Sequence, residues 1–208
     1  MNIERRNITH EFRLSDQGDT EQTIAGYAAV FDSPASNGLW TETLDPHCFD
    51  TVMANNPDVR ALWNHNDDHV LGRTTANTLT LSVDTRGLSY TILPPDTTVA
   101  KDLMISMRRK DVTGSSFGFI VKRDQWADLP DGTVSRRILE IEELLDVSPV
   151  TYPFYGAASA QVRSLPDSMP AEYRSRFADN ADAKPAELKV HEDDWLGNTE
   201  LRLRLAEL

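Results

Sequence analysis

The sequence predicts one β-rich domain with few helices, followed by a tail of different character. Three observations carry this reading. About seven segments have the β-branched and aromatic content of strands, and only two carry apolar residues at helical spacing. Beyond about Ser164 the composition turns to Pro, Asp, Ala, Glu and Arg, with few large apolar residues before Trp195 and the closing Leu-Arg-Leu-Arg-Leu. At 208 residues the chain has room for a single domain with a substantial core and an appendage, but not for two full-sized domains. The boundary is therefore expected between residues 163 and 164, with the tail, residues 164–208, removable or mobile, helical or disordered.

Taken in order, residues 23–31 (T-I-A-G-Y-A-A-V-F) read as a buried strand ended by the turn chemistry of Asp32-Ser33-Pro34. Asp45-Pro46 offers an N-cap and a proline at the first helical position, opening a short helix with Phe49, Val52 and Met53 that stops near Asn55-Asn56-Pro57. Residues 59–63 read as a strand that delivers the polar run 64–69 (N-H-N-D-D-H) at its end. Residues 78–83 and 88–93 flank Asp84-Thr85-Arg86-Gly87, a hairpin whose glycine is expected to take a positive φ. A helix through Lys110 follows, with Val99, Leu103, Met104 and Met107 on its apolar side. Residues 115–121, 134–141 and 144–152 complete the strands, with a turn at Pro130-Asp131-Gly132 and an edge or bulge at Pro149.

Composition excludes several classes. A net charge of −12 argues against a phosphate-tracking surface, so direct nucleic-acid binding is not expected. The single cysteine, Cys48, rules out an intrachain disulfide and any multi-cysteine zinc site. The N-terminus has no apolar signal segment, and no run approaches the roughly 18 apolar residues of a membrane span. A soluble, intracellular protein without a cofactor is the expectation.

Four groups of residues carry possible chemistry. His65 follows a strand end in a polar stretch, where a side chain is held firmly yet reachable; a hydrogen-bonded loop histidine is the plain alternative. Together with Asp67, Asp68 and His69 it also suggests a metal site, although asparagine stands where HExxH requires glutamate. Ser115 and Ser116 open a strand ahead of Phe117-Gly118-Phe119, outside any G-x-S-x-G elbow. Either serine needs a general base to become a nucleophile, and His65 is the candidate. Asp146 sits among apolar strand residues, with Glu140, Glu142 and Glu143 before it; a carboxylate there needs a partner, and orienting a histidine is one such role.

In order along the chain, these segments resemble the prohead protease family of tailed phages, whose fold is related to the herpesvirus maturation protease. The resemblance rests on G-Y-A-A-V-F (26–31), E-T-L-D-P-H-C-F (42–49), W-N-H-N (63–66), L-G-R-T (71–74), D-T-R-G-L (84–88), S-F-G-F (116–119) and D-V-S-P-V-T-Y-P-F-Y (146–155), spanning about residues 8–163. Two departures stand out: Pro46-His47-Cys48-Phe49 where the family often has P-G-A-F, and aspartate for the commoner glutamate at position 146.

The resemblance implies an α+β fold, a mixed β-barrel packed by helices, and a serine endopeptidase working through an acyl-enzyme. It maps the base to His65, the nucleophile to Ser116 with Ser115 adjacent, and the orienting acid to Asp146 with Glu143 in reserve. Backbone amides or an arginine such as Arg73 are left to form the oxyanion hole. The implied substrates are the scaffolding extension of the major capsid protein and the chain's own tail, inside the immature capsid in the host cytoplasm. The portal and a second copy of the chain remain candidate partners. Two other classes compete: a scaffold or capsid-assembly protein without activity, and a metal-dependent hydrolase built on His65, Asp67, Asp68 and His69.

Overall fold

The computed structural model describes residues 3–9, 13–14, 22–36, 39–152 and 165–181. Eleven strands and three α-helices lie within them: β1 (Glu4–Thr9), β2 (Arg13–Leu14), β3 (Ile24–Val30), β4 (Ala35–Ser36), β5 (Trp40–Leu44), α1 (Asp50–Ala54), β6 (Arg60–Trp63), β7 (Asn66–Arg73), β8 (Leu79–Val83), β9 (Gly87–Ile92), α2 (Thr98–Arg108), β10 (Gly114–Asp128), β11 (Val134–Val150) and α3 (Ala171–Ala181). The β-rich α+β class of the sequence reading holds. The structure has more strands than expected because several are short edge pieces, such as β2 and β4, that carry no apolar run of their own.

The strands form two sheets. The larger runs β1-β10-β11-β5-β4, with β6 on β11 and β7 on β6; the smaller runs β2-β3-β9-β8. Pairing in the larger sheet is mixed: β10 and β11 make a long antiparallel hairpin, while β11 takes β5 and β6 in parallel at different points along its length. The expected barrel is corrected here. Among the described residues no ladder joins the two sheets. β11 spends one edge on two successive partners, so the larger sheet branches instead of curling closed. The sheets nonetheless share one core, in which Ile24, Leu88 and Ile92 of the smaller meet Phe117, Phe119, Ile138 and Val147 of the larger, with Leu103 and Met107 of α2. Apolar burial of this kind is the main favourable contribution to folding.

Three local expectations change. β11 is one strand and not two, because the Glu142-Glu143 step that reads as a break is an exposed pair at a register shift, past which the strand continues on β10. α1 begins five residues after Asp45, with Phe49 at its N-cap and no side-chain cap. Asp45 instead closes a turn, its carbonyl accepting from the Cys48 amide at 3.0 Å and its carboxylate from the His47 amide at 2.9 Å. Gly87 does not take the left-handed conformation. It is there because a Cβ would lie 2.0 Å from the Ala29 carbonyl oxygen on β3, so the requirement is a close backbone approach.

Residues beyond the 163/164 boundary that are described lie against the domain. Met169, Tyr173 and Phe177 are buried with Trp40 and Val134, against half-buried Trp126. Beneath them Arg136, fully buried, donates to Glu4, Glu42 and Asp124 and reaches Ser168 at 3.1 Å. Burial acts to lower its pKa and is outweighed by the hydrogen bond and charge of Glu4 and the charges of Glu42 and Asp124, so the guanidinium stays ionised. Trp195 and the closing leucines lie outside the described residues.

Candidate active site

β6 and β7 are joined by two residues, Asn64 and His65, both left-handed with φ of 56° and 55°. Two consecutive positive φ values make the tight turn whose twist suits antiparallel strands, a conformation asparagine tolerates better than most residues. Trp63 pairs directly with Asn66 across it. The expected loop of residues 64–69 is thus a hairpin tip followed by strand. Asn64 ties this tip to the end of β11: its amide donates to the Pro149 carbonyl at 3.0 Å, its Nδ2 to Thr151 Oγ1 at 3.1 Å, and its Oδ1 accepts from the Thr151 amide at 2.9 Å. His65 is held in an uncommon backbone conformation by bonds its neighbour makes.

From this tip His65 spans the two central strands. Its Nε2 lies 2.6 Å from Ser116 Oγ on β10, and its Nδ1 lies 2.6 Å from Asp146 Oδ1 on β11. The ionised carboxylate can only accept, so Nδ1 carries the proton and Nε2 is left as the acceptor for the serine hydroxyl. Ser148, two residues along β11 on the same face, donates from Oγ to the same Asp146 oxygen at 2.7 Å. Ser116, Asp146 and Ser148 are buried, and the imidazole is only 9% exposed. In such surroundings each hydrogen bond is stronger than in water.

Gly118 completes the geometry. A Cβ on it would sit 2.3 Å from Asp146 Oδ2, so the glycine between the two phenylalanines makes room for the carboxylate. Phe117 and Phe119 point to the opposite face, stacked with centroids 4.5 Å apart in the core. Ser115 shares that core face, where its Oγ lies 2.7 Å from the Tyr90 hydroxyl. Strand alternation therefore separates the two adjacent serines completely.

The other sequence candidates do not converge. Glu143 is exposed and pairs with Ile120, away from the imidazole. Arg73 lies at the far end of β7, opposite Arg60, with its guanidinium forked onto Asp58 at 2.7 Å twice. The His69 ring lies tilted beside Trp63, 5.7 Å between centroids, and approaches Asn66, while Asp67 and Asp68 are exposed. Among the described residues no three His, Cys, Asp or Glu side chains converge as a metal site. Cys48 is buried, and desolvation pushes its thiol up to about 12, so it stays protonated. Sequence reasoning missed Asn64, Ser148 and Thr151. The signal for Ser148 was available in its spacing of two from Asp146 on a strand.

A hydroxyl, an imidazole and a carboxylate aligned in that order on a β-rich domain define the serine-hydrolase class of site. The chain belongs to the caudovirus prohead serine protease family, whose model matches residues 9–170. It is similar to the prohead protease of Enterobacteria phage HK97, with 30% identity over 147 residues, covering 69% of this chain and 61% of that relative. The aligned region thus spans less than two thirds of that curated relative's length. The fold is like that of the bacteriophage T4 capsid assembly protease, with a TM-score of 0.51 and 8% identity over 71% of this chain and 96% of that structure.

Proposed function

We propose that the chain is a serine endopeptidase of prohead maturation, with Ser116 as nucleophile, His65 as general base and Asp146 as the group that orients and charge-stabilises the imidazole. The observation that carries this is the continuous row Ser116–His65–Asp146, with both contacts of the imidazole at 2.6 Å. Ser116 Oγ bonds to the scissile carbonyl carbon as its proton passes to His65 Nε2 and the carbonyl electron pair moves onto oxygen. Collapse breaks the C–N bond, and the amine leaves with the proton from His65. Water then repeats both steps on the acyl-enzyme, with no cofactor or metal required by the chemistry.

The substrates proposed are the scaffolding extension of the major capsid protein and the chain's own tail, cut within the immature capsid in the host cell. Family membership supports this choice. Since Met169, Tyr173 and Phe177 pack on the domain, a self-cleavage point beyond Ala181 would leave the second core cluster whole.

The test is co-expression with the cognate capsid protein, followed by mass spectrometry of the products for wild type and Ser116→Ala. The expected result is a shortened capsid protein and a shortened protease with wild type, and full-length forms of both with the variant. Capsid protein shortened equally by Ser116→Ala would sink the proposal.

A further inference from the structure

The row of reacting groups has a fourth flank. Ser116 sits on β10 between two neighbours, Ser148 on β11 and Asn7 on β1, each in direct register with it. Directly paired antiparallel residues project to the same face with Cβ atoms roughly 4.5–5.5 Å apart. Asn7 therefore stands beside Ser116 on the face that holds His65 and Asp146, on the side away from both. Its neighbours alternate as the pleat requires: Arg6 and Glu4 turn to the other face, onto Glu42 and Arg136.

Three observations bear on what Asn7 does. Among the described residues no side chain is hydrogen-bonded to its amide, whereas Ser148, on the opposite flank, is committed to Asp146. Asn7 is only half-buried, while Ser116 and Ser148 have no exposed surface, so the solvent-facing flank of the nucleophile is the one Asn7 occupies. An acyl transfer at Ser116 also needs a donor for the developing oxyanion, and Arg73 is spent on Asp58.

We infer that Asn7 is a further catalytic residue, whose side-chain Nδ2–H donates to the oxyanion formed when Ser116 attacks a carbonyl. The inference rests on Ser116 being the nucleophile. A side-chain amide one strand away has the reach: the oxyanion forms two bonds from Oγ, inside the roughly 5 Å gap between paired Cβ atoms. Such a donor, worth little to the ground state, typically contributes about 10²–10³ in rate.

The experiment measures the second-order rate of labelling by a fluorophosphonate in the full chain. In that reaction Ser116 Oγ bonds to phosphorus, fluoride leaves, the proton passes to His65, and the phosphoryl oxygen occupies the oxyanion position. Wild type, Ser116→Ala, Asn7→Ala, Asn7→Asp and Asn7→Gln are compared, each with its thermal midpoint. Labelling of wild type but not of Ser116→Ala establishes the nucleophile; labelling of both at one rate defeats the parent reading and leaves Asn7 without a role. Given the nucleophile, the expected loss is about 100-fold or more in Asn7→Ala and larger in Asn7→Asp, which sets a negative charge against the oxyanion in the same shape, with Asn7→Gln recovering part. Asn7→Asp is the arm insulated from misfolding by its isosteric side chain. Labelling of a folded Asn7→Asp within threefold of wild type overturns the inference, and so does an Asn7→Gln no better than Asn7→Ala at equal midpoints.

Discussion

The two ends of the β10–β11 hairpin both bury polar side chains, but they do so in different ways. At the end near residues 116 and 146 the groups form an open row: hydroxyl to imidazole to carboxylate, with Ser148 supporting the far end. At the other end Arg136 is enclosed, its guanidinium saturated by Glu4, Glu42, Asp124 and Ser168 under a cover of Trp126 and α3. A row has a terminal group, Ser116, whose proton has somewhere to go. A closed network has none, and its groups hold elements together: β1, β5, β10 and the segment before α3 all meet at Arg136. One strand pair thus carries the end proposed to be reactive and a fastening end.

The sharpest way to break this contrast is to remove the central group of each. His65→Ala is expected to lower cleavage by at least about 10⁴-fold with a smaller fall in the urea midpoint than Arg136→Ala, since the imidazole lies outside the apolar core and Asp146 keeps the hydrogen bond from Ser148. His69→Ala, outside the row, should be much milder. Arg136→Ala should do the reverse and cost about 3–5 kcal/mol of stability, because it strands buried carboxylates without their cation. Paired activity and urea-unfolding measurements check both, and an inactive but fully stable Arg136→Ala would undo the distinction.

Next in size is the tail. A chain ending at residue 164 uncovers Trp40, Trp126 and Val134 and takes Ser168 from Arg136, so its unfolding midpoint should fall steeply. A chain ending at residue 181 should unfold where the full chain does. Phe177→Ala tests the contact alone, with an expected loss of about 3 kcal/mol.

Smaller still is the effect of the serine on the wrong face. Ser115→Ala should leave cleavage within a few-fold of wild type and cost about 1–3 kcal/mol, because it orphans the buried Tyr90 hydroxyl. Adding Tyr90→Phe should recover part of that loss, a coupling that a double-mutant cycle reads directly.

The smallest prediction concerns acid. Hydrogen bonds from Arg73 hold the Asp58 carboxyl well below the usual carboxylate range at the base of the β6–β7 hairpin. A folded-state pKa lowered in this way gives stability that is present above the unfolded value and lost as pH falls through the folded one. Wild type should therefore lose midpoint between about pH 4 and more acidic conditions, and Asp58→Asn should lose less over the same interval. Equal slopes in urea titrations at stepped pH would show the clamp contributes nothing to acid stability.

By itself the sequence determined the β-rich class, the order and approximate place of the main strands and of α2, the turn at residues 130–132, and a short list of site candidates: His65, the Ser115–Ser116 pair, and Asp146 with Glu143 in reserve. These are local or motif-borne properties: alternation, helical spacing and turn chemistry act within a few residues, and motif order survives without coordinates. Tertiary structure decided the rest. That Ser116 and not Ser115 faces the imidazole depends on which side of β10 meets the core, and Tyr90, from the other sheet, settles that side. That Gly118 serves Asp146, and Gly87 the backbone of β3, depends on neighbours 28 and 58 residues away. The open, branched sheet in place of a barrel follows from β11 taking two parallel partners, and no feature of the strand's own residues announces how its edge will be divided. Long-range register is a property of pairs, and a single sequence states only one member of each pair at a time.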